Sequence, residues 1–138
     1  MRIQWLIAAA GLLGAAVVAT GQTAPRAPAA GAAAGSAAEL AQGRRLFIRC
    51  AACHALAPTT QAKIGPHLQR IVGRRSGTIA GFNYSPAMRQ ANITWDAATL
   101  DRWLQRPQTV VPGTSMAFAG LSNPADRRAL IAYLRRPN

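Results

Sequence analysis

The run Cys50-Ala51-Ala52-Cys53-His54 constrains this chain more than any other feature. Two thiols three positions apart, with an imidazole directly after the second, form the attachment pattern of a c-type haem. The thiols add across the two vinyl groups of the porphyrin, and the imidazole is a good iron ligand when it is neutral. Its other ring nitrogen then needs a hydrogen-bond acceptor that sets its tautomer. The motif therefore predicts one covalently bound haem c, with His54 as an iron ligand.

Three other uses of the cysteine pair compete with this prediction. A thioredoxin-like redox pair needs a βαβ frame, and the chain has no strand-type runs. A zinc site needs four ligands, and the chain offers only Cys50, Cys53, His54 and His67. Adjacent Cys53 and His54 point in different directions, which disfavours a tetrahedral site. A plain disulfide would leave the position of His54 to chance, so haem attachment is the favoured interpretation.

The charge of the chain indicates the kind of partner it binds. Its 138 residues carry 16 basic and 4 acidic side chains, a formal net charge of +12. Such a charge suits nucleic acid, an anionic membrane or an acidic protein. The arginines are dispersed and no nucleic-acid recognition motif accompanies them, so nucleic acid is not expected. An acidic protein partner is favoured.

The first 38 residues differ in composition from the rest of the chain. Arg2 precedes an apolar stretch from Ile3 to Val18, which predicts a signal peptide or an uncleaved N-terminal anchor over residues 1–21. Residues 22–38 are mostly Ala, Pro and Gly, which predicts a disordered linker. The folded domain is expected over residues 39–138. Export agrees with haem attachment, so we expect the periplasm, either as a soluble protein or tethered to the inner membrane.

Apolar spacing predicts four helices in the folded domain. Gly43 lies inside the first helix at a cost of about 1 kcal/mol relative to alanine, so we expect another helix to pack closely there. The last helix is the expected partner, with Asn123 as its cap and Pro124 at its first position. Residues 54–83 are predicted to form a loop. The four helices are expected at about 38–53, from Ser85-Pro86 to Asn92, from a Thr94 cap to Gln105, and from Asn123 to Arg136.

Candidate groups for the other face of a haem and for its propionates lie outside the cysteine motif. Met116 is in a non-helical stretch, and a thioether suits haem iron opposite histidine, although loop methionines also commonly just pack. His67 is a second candidate ligand, but an ordinary loop histidine is the favoured interpretation. The Pro66 carbonyl is a candidate acceptor for His54. Because buried propionates need compensating donors, Arg74, Tyr84 and Trp95 are candidates there.

From Gly43 to Leu134 the chain resembles the class I cytochromes c, specifically the mitochondrial-type and purple-bacterial electron carriers. The matching pieces, in order, are Gly43 with Phe47, Cys50-Ala51-Ala52-Cys53-His54, Gly65-Pro66, Gly73-Arg74-Arg75-Ser76-Gly77, Gly81-Phe82-Asn83-Tyr84-Ser85, Ile93-Thr94-Trp95, the run from Pro112 to Gly120, and Leu130-Ile131-Ala132-Tyr133-Leu134. The order of these pieces over some ninety residues makes the resemblance specific.

The resemblance implies an all-α fold, with short helices wrapped around one covalently bound haem. It implies thioether bonds at Cys50 and Cys53, axial ligands His54 and Met116, and a Pro66 carbonyl that orients His54. The groups it places around the haem edge and propionates are Arg74, Tyr84, Ser85, Trp95, Thr114 and Phe118.

Two departures from the family pattern affect the expected pocket and the expected docking face. Trp103 and Met88 stand where the family usually has a tyrosine and an asparagine, which makes the methionine side less polar. Gln108, Thr109 and Ser115 occupy positions that often hold lysines. The candidates to carry the positive charge instead are Arg49, Arg70, Arg89 and Arg106.

The function implied by the resemblance is electron transfer without catalysis. With two axial ligands, we expect a monomeric one-electron carrier between a quinol-oxidising bc-type complex and a terminal oxidase or reaction centre. The alternatives are an electron acceptor of a periplasmic dehydrogenase and a haem sensor or peroxidase-like protein with an open sixth position. For the carrier and for the dehydrogenase acceptor we expect redox partners with acidic docking surfaces, namely an oxidase, a bc-type reductase or a dehydrogenase.

Overall fold

The computed structural model describes residues 35–137, and the predictions for the signal or anchor segment and for most of the linker lie outside this range. Within it the fold is all-α, as predicted, and it contains no strand; one isolated antiparallel bridge joins Arg75 and Thr94. No helix in the described part of the chain is long and apolar enough to cross a membrane. The helices are α1 Ala37–Ala51, α2 Pro86–Gln90, α3 Ala97–Gln105, α4 Pro107–Val110 and α5 Pro124–Arg135.

Helices α1 and α5 cross at Gly43, as the sequence predicts. A Cβ atom at Gly43 would lie 2.1 Å from the Ala129 carbonyl oxygen and 2.6 Å from Tyr133 Cβ. One turn further along α1, the rings of Phe47 and Tyr133 pack with their centroids 5.9 Å apart. The glycine thus allows backbone contact that any other residue would prevent.

The apolar face of α3 joins these helices to one hydrophobic core. Trp103 packs edge-to-face against Trp95, with ring centroids 5.0 Å apart and planes at 61°. This geometry is a favourable one for aromatic pairs. The core residues are Phe47, Ile71, Met88, Trp95, Leu100, Trp103, Leu104, Val111, Leu121, Leu130, Ile131, Tyr133 and Leu134.

The N-terminus of α3 differs from the prediction. Asp96, rather than Thr94, is the cap, and its carboxylate accepts a 2.7 Å hydrogen bond from the Thr99 amide. Thr94 lies in the bridge to Arg75, so its backbone is already extended and paired. Hydrogen bonds from the Thr99 amide and hydroxyl lower the pKa of Asp96.

Two further features, the end of α2 and a short extra helix, also differ from the sequence prediction. Helix α2 ends at Gln90, two residues early, because Asn92 adopts a left-handed backbone with φ of 51°. Pro107 ends α3, as expected, but it also starts the unpredicted four-residue helix α4. Proline is favourable at a first helical position because its missing N–H would be unpaired there in any case.

An ion pair between the buried Arg127 and the partly exposed Asp101 joins α3 to α5 and was not predicted. Arg127 is only 5% exposed, and its Nε lies 2.8 Å from Asp101 Oδ1. Its Nη1 donates to the carbonyl oxygens of Leu121 and Ser122 at 2.9 and 2.8 Å. The guanidinium therefore fixes the start of α5 against α3 and against the loop that precedes α5.

Candidate haem-binding site

The two cysteines and the histidine of the attachment motif lie together at the C-terminal end of α1. Cys50 is in the last turn of the helix, and the amides of Cys53 and His54 donate to its carbonyl oxygen at 3.0 and 2.8 Å. Both thiols are free and half-buried. The helix end therefore presents both attachment atoms and the imidazole within one compact turn.

The loop segment Gly65-Pro66 holds the His54 ring. His54 Nδ1 lies 2.7 Å from the Pro66 carbonyl oxygen, which can only accept, so Nδ1 carries the proton and donates. A Cβ atom at Gly65 would lie 2.3 Å from His54 Cε1, so the glycine backbone packs directly against the ring. The Gly65 amide also donates to the Cys53 carbonyl oxygen at 2.8 Å. This tautomer leaves the lone pair of Nε2 available to a metal.

Burial shifts the pKa of His54 and the pKa of Cys50 in opposite directions. It lowers the pKa of His54, the Pro66 hydrogen bond opposes that effect, and the positive charge of Arg74 lowers the pKa further. Burial likewise raises the pKa of the Cys50 thiol, while the charge of Arg49 lowers it. A lowered pKa favours the neutral imidazole, the form that binds iron.

The loop that carries Met116 is held at its near end by Thr114 and Gln108. Buried Thr114 accepts a hydrogen bond from the Met116 amide through its hydroxyl at 3.3 Å. The Gln108 side chain donates to the Thr114 carbonyl oxygen at 3.0 Å and accepts from the Gly113 amide at 3.2 Å. From the sequence, Gln108 was considered only as a position on the docking face. The signal that could have indicated its role in holding the loop is an amide side chain shortly before a Pro-Gly turn.

The far end of the same loop returns to the end of α3. Gly120 has φ of 102°, and a Cβ atom there would lie 2.0 Å from the Gln105 carbonyl oxygen. The next amide, that of Leu121, donates to the Leu104 carbonyl oxygen at 2.8 Å. Met116 packs against the same hydrophobic core as Cys50. Contacts on both sides therefore restrict where its thioether can lie.

Three of the residues predicted to surround the propionates come together. The guanidinium of Arg74 donates to the carbonyl oxygens of Gln69 and His67 at 2.8 and 3.0 Å. Its own carbonyl oxygen accepts from the Trp95 amide at 2.9 Å, next to the Arg75–Thr94 bridge. Burial lowers the pKa of Arg74, and the nearby Tyr84 phenol opposes that effect.

The other two predicted donors already make hydrogen bonds within the protein. Ser85 caps α2, where its hydroxyl accepts from the Met88 amide at 3.2 Å, and Thr114 holds the Met116 amide. As acceptors in these bonds, both hydroxyls keep their own protons to donate. His67 contributes its carbonyl oxygen to Arg74, while its buried Nδ1 has no hydrogen-bond partner in residues 35–137.

The residues present fit a covalently attached haem. Two thiols and an imidazole with a fixed tautomer share one helix end, a thioether lies on an anchored loop, and the Arg74 guanidinium lies near the Tyr84 phenol. Several apolar side chains that pack against the core remain partly exposed, as expected for the walls of a crevice that a porphyrin would fill. The partly covered side chains of this kind include Leu56, Leu68, Val72, Tyr84, Met116 and Phe118.

Comparisons with known proteins identify cytochromes c as relatives of this chain. The family model for cytochrome c matches residues 40–136. Cytochrome c2 of Rhodomicrobium vannielii is 46% identical over 99 residues, which cover 72% of this chain and 79% of that protein. Cytochrome c of Arabidopsis thaliana is 45% identical over 94 residues, covering 67% and 84%. The structure of cytochrome cH from Methylobacterium extorquens matches with a TM-score of 0.64 and 38% identity, covering 70% of this chain and 96% of that one.

These matches identify both the cofactor and the general activity. Cytochromes c are electron carriers rather than enzymes, and Cys50 and Cys53 have the spacing that attaches the cofactor. The protein accordingly carries one covalently bound haem c and transfers electrons. The chain belongs to the class I cytochrome c family.

Proposed function

We propose that the protein is a periplasmic one-electron carrier with His54 and Met116 as axial ligands. Its proposed donor is a quinol-oxidising bc-type complex, and its proposed acceptor is a terminal oxidase or a photosynthetic reaction centre. Bound haem supplies one iron that takes up and releases a single electron. The observation that carries the proposal is the 2.7 Å contact between His54 Nδ1 and the Pro66 carbonyl oxygen.

That contact supports His54 as the nitrogen ligand. A ring free to rotate would present either nitrogen, whereas the Pro66 acceptor holds the proton on Nδ1 and leaves Nε2 as the unprotonated nitrogen. Gly65 packs against the ring and restricts its orientation as well. An imidazole that is neutral and preoriented loses little entropy on ligation.

Preorganisation also supports Met116 as the sulfur ligand. A thioether is a weak ligand, so it binds iron more strongly when the loop that carries it is already ordered before binding. Thr114 and Gln108 order the near end of this loop, and Gly120 orders the far end. Met88, the other internal methionine, is buried in α2 within the core.

Two axial ligands limit the proposed activity to electron transfer. With His54 and Met116 both bound, no axial position is left for a substrate. The Gly65–Pro66 contacts of His54 and the loop contacts of Met116 would hold both side chains in place when the oxidation state changes, so the reorganisation on each transfer would be small. The protein's own contributions are to hold the ligands, exclude water and present a surface for docking.

The distribution of charge supports acidic partners. Between Leu40 and Trp95 the chain has eight basic residues and no acidic residue, and this segment contains the attachment motif. A positive surface near the haem steers encounter with acidic partners, and such encounters weaken as salt increases. The bacterial relatives named cytochrome c2 support a periplasmic location. Residues 1–21 are the proposed export signal, which N-terminal sequencing of the mature protein would test.

The ligand assignment is tested by replacing each internal methionine. Met116→Ala should abolish the ferric charge-transfer band of methionine-ligated haem and lower the reduction potential. The matched control Met88→Leu, which retains an apolar side chain in α2, should preserve the band. If Met116→Ala leaves the ferric spectrum unchanged, the assignment of Met116 is wrong.

The carrier role is tested with purified complexes. The reduced holoprotein, as sole electron donor, should sustain turnover of a terminal oxidase, and a bc-type complex should reduce the oxidised form. Both rates should fall as ionic strength increases. Normal reduction by ascorbate without any reaction with either complex would contradict the proposed role.

A further inference from the structure

We propose that His67 binds a proton when the haem iron is reduced and releases it when the iron is oxidised. The proposal rests on the carrier function above, with His54 as the nitrogen ligand. The chain contains two histidines, His54 and His67. Once His54 is bound to iron, His67 is the imidazole that remains free to titrate. Imidazole is the side chain whose ordinary pKa lies nearest to neutral pH.

The backbone joins His67 directly to the group that holds the iron ligand. Pro66 precedes His67, and its carbonyl oxygen lies 2.7 Å from His54 Nδ1. On the other side, the Leu68 amide donates to the Ala55 carbonyl oxygen at 2.8 Å. Both chain neighbours of His67 are therefore bonded to the segment that begins with His54.

Arg74 connects the two imidazoles electrostatically. Its guanidinium donates to the carbonyl oxygens of Gln69 and His67 at 2.8 and 3.0 Å. Burial lowers the pKa of both imidazoles, and the positive charge of Arg74 lowers each pKa further. Because one charge acts on both rings, His67 and His54 lie in the same local field.

The His67 ring is placed so that its neutral form is favoured. Its Nδ1 is buried and has no hydrogen-bond partner among residues 35–137, although His67 as a whole is only half-buried. A neutral imidazole can leave an unprotonated nitrogen at such a place, whereas an imidazolium carries an N–H on both nitrogens. A buried N–H without an acceptor is unfavourable. The ring therefore accepts a proton only when the surrounding field becomes less positive or the solution becomes more acidic.

Reduction of the iron makes the field less positive. It removes one positive charge from the metal that His54 binds, so a proton on His67 is repelled less in the ferrous protein than in the ferric protein. By linkage, a proton on His67 favours the reduced form and raises the reduction potential. The electron comes from the donor protein, the proton comes from water, and the bond that forms is the second N–H of the ring.

The direction of the pH dependence follows from this linkage. The potential should be constant where His67 is protonated in both oxidation states, and constant at a lower value where it is neutral in both. Between these limits the potential falls as pH rises. Because burial and Arg74 lower the pKa of His67, the fall is expected on the acid side of the ordinary 6.5.

The size of the effect follows from Coulomb's law. A unit charge about 12 Å away, in a medium with a dielectric constant of about 40, changes a proton affinity about threefold. For a one-electron couple, at about 59 mV per factor of ten, this change corresponds to about 30 mV. Such a step is measurable, and it is small enough to leave the protein a carrier at every pH.

The groups that could compete with His67 are few. Arg74 is the charged residue that shifts its pKa, and Tyr84 lies near Arg74. Residues 41–94 contain no acidic side chain, so this segment holds no protein carboxylate. The competing carboxylates are those of bound haem, which are predicted beside Arg74. The other cations of the same loop are Lys63, Arg70 and Arg75.

The test measures the reduction potential of the holoprotein by spectroelectrochemistry from about pH 4.5 to about pH 8. The wild-type potential should fall by about 30 mV as pH rises through this range. His67→Asn should remove the step, because asparagine does not titrate. Gln69→Asn is the matched control and should keep the step, since Gln69 is exposed and its carbonyl oxygen binds the same guanidinium.

A second measurement needs no variant. The proton affinity of His67, from the NMR titration of its ring protons in wild type, should be about threefold higher in the ferrous than in the ferric form. Equal affinities in the two forms would overturn the proposal. A step that persists in His67→Asn, with the ferric methionine band intact, would also overturn it and assign the proton to a haem carboxylate. Failure to react with a bc-type complex, in a protein that keeps the step, would instead contradict the carrier function.

Discussion

Gly65→Ala tests the contact that orients the imidazole. The glycine does not have a positive φ, so alanine is compatible with its backbone. The added Cβ, however, would lie 2.3 Å from His54 Cε1 and 2.6 and 2.7 Å from the two ring nitrogens. Ordinary carbon contacts begin near about 3.5 Å, so the ring and the loop must separate by about 1 Å.

The expected cost follows from what resists this separation. His54 directly follows Cys53 in the turn at the end of α1. The loop is held by the hydrogen bond from the Gly65 amide to the Cys53 carbonyl oxygen at 2.8 Å. Moving the loop stretches this bond and the His54–Pro66 bond, and each neutral hydrogen bond contributes about 1 kcal/mol. Overpacking adds about 1–3 kcal/mol. We expect Gly65→Ala to lower the free energy of unfolding by about 2–4 kcal/mol.

The assay is guanidinium unfolding of the ferric holoprotein, followed by haem absorbance, together with the reduction potential. Gly73→Ala is the control, because a Cβ atom at Gly73 meets nothing within 4 Å although its φ is 88°. Gly73→Ala should lower the free energy of unfolding only by the backbone strain of alanine at this φ, about 1–2 kcal/mol. Its reduction potential should be unchanged. If Gly65→Ala loses no more stability than Gly73→Ala and keeps the wild-type potential, the imidazole is not held as argued.

Further substitutions test other contacts of the fold and the site. Gly43→Ala should lower the free energy of unfolding by at least about 2 kcal/mol, because overpacking against α5 outweighs the gain of about 1 kcal/mol from the better helix propensity of alanine. Unchanged denaturant unfolding would refute the close crossing. Asp101→Ala should cost about 2–3 kcal/mol in the same assay, since it leaves the buried guanidinium of Arg127 without its carboxylate. Asp96→Asn should keep the α3 cap but remove an acid-dependent contribution: the folded pKa lies below the ordinary 3.8, so that contribution is present above 3.8 and is lost as pH falls below it. A wild-type stability with the same acid dependence as Asp96→Asn would contradict this. Gln108→Ala should let the ferric methionine band disappear at lower denaturant concentration, and an unchanged midpoint would show that Gln108 does not restrain the loop.

Helix positions followed from local sequence signals where those signals were unambiguous. Asn123 before Pro124 predicted the start of α5 to the residue, because a side-chain cap and a proline act within one turn. The predicted start of α3 was wrong. Thr94 and Asp96 are both good caps, and the pairing of Thr94 with the distant residue Arg75 decided between them. Local propensity cannot include a bridge formed by tertiary contact.

The sequence by itself determined that this chain attaches a haem, that its fold is helical and that its surface is strongly basic. These properties depend on residue types at short spacings, such as the thiols of Cys50 and Cys53, and on a charge that requires no geometry. Tertiary structure alone decided what anchors the Met116 loop and that Arg127 is buried. The close approach of Gly120 to Gln105 and the Arg127–Asp101 ion pair join separate segments of the chain, whose approach is set by the packing of the core.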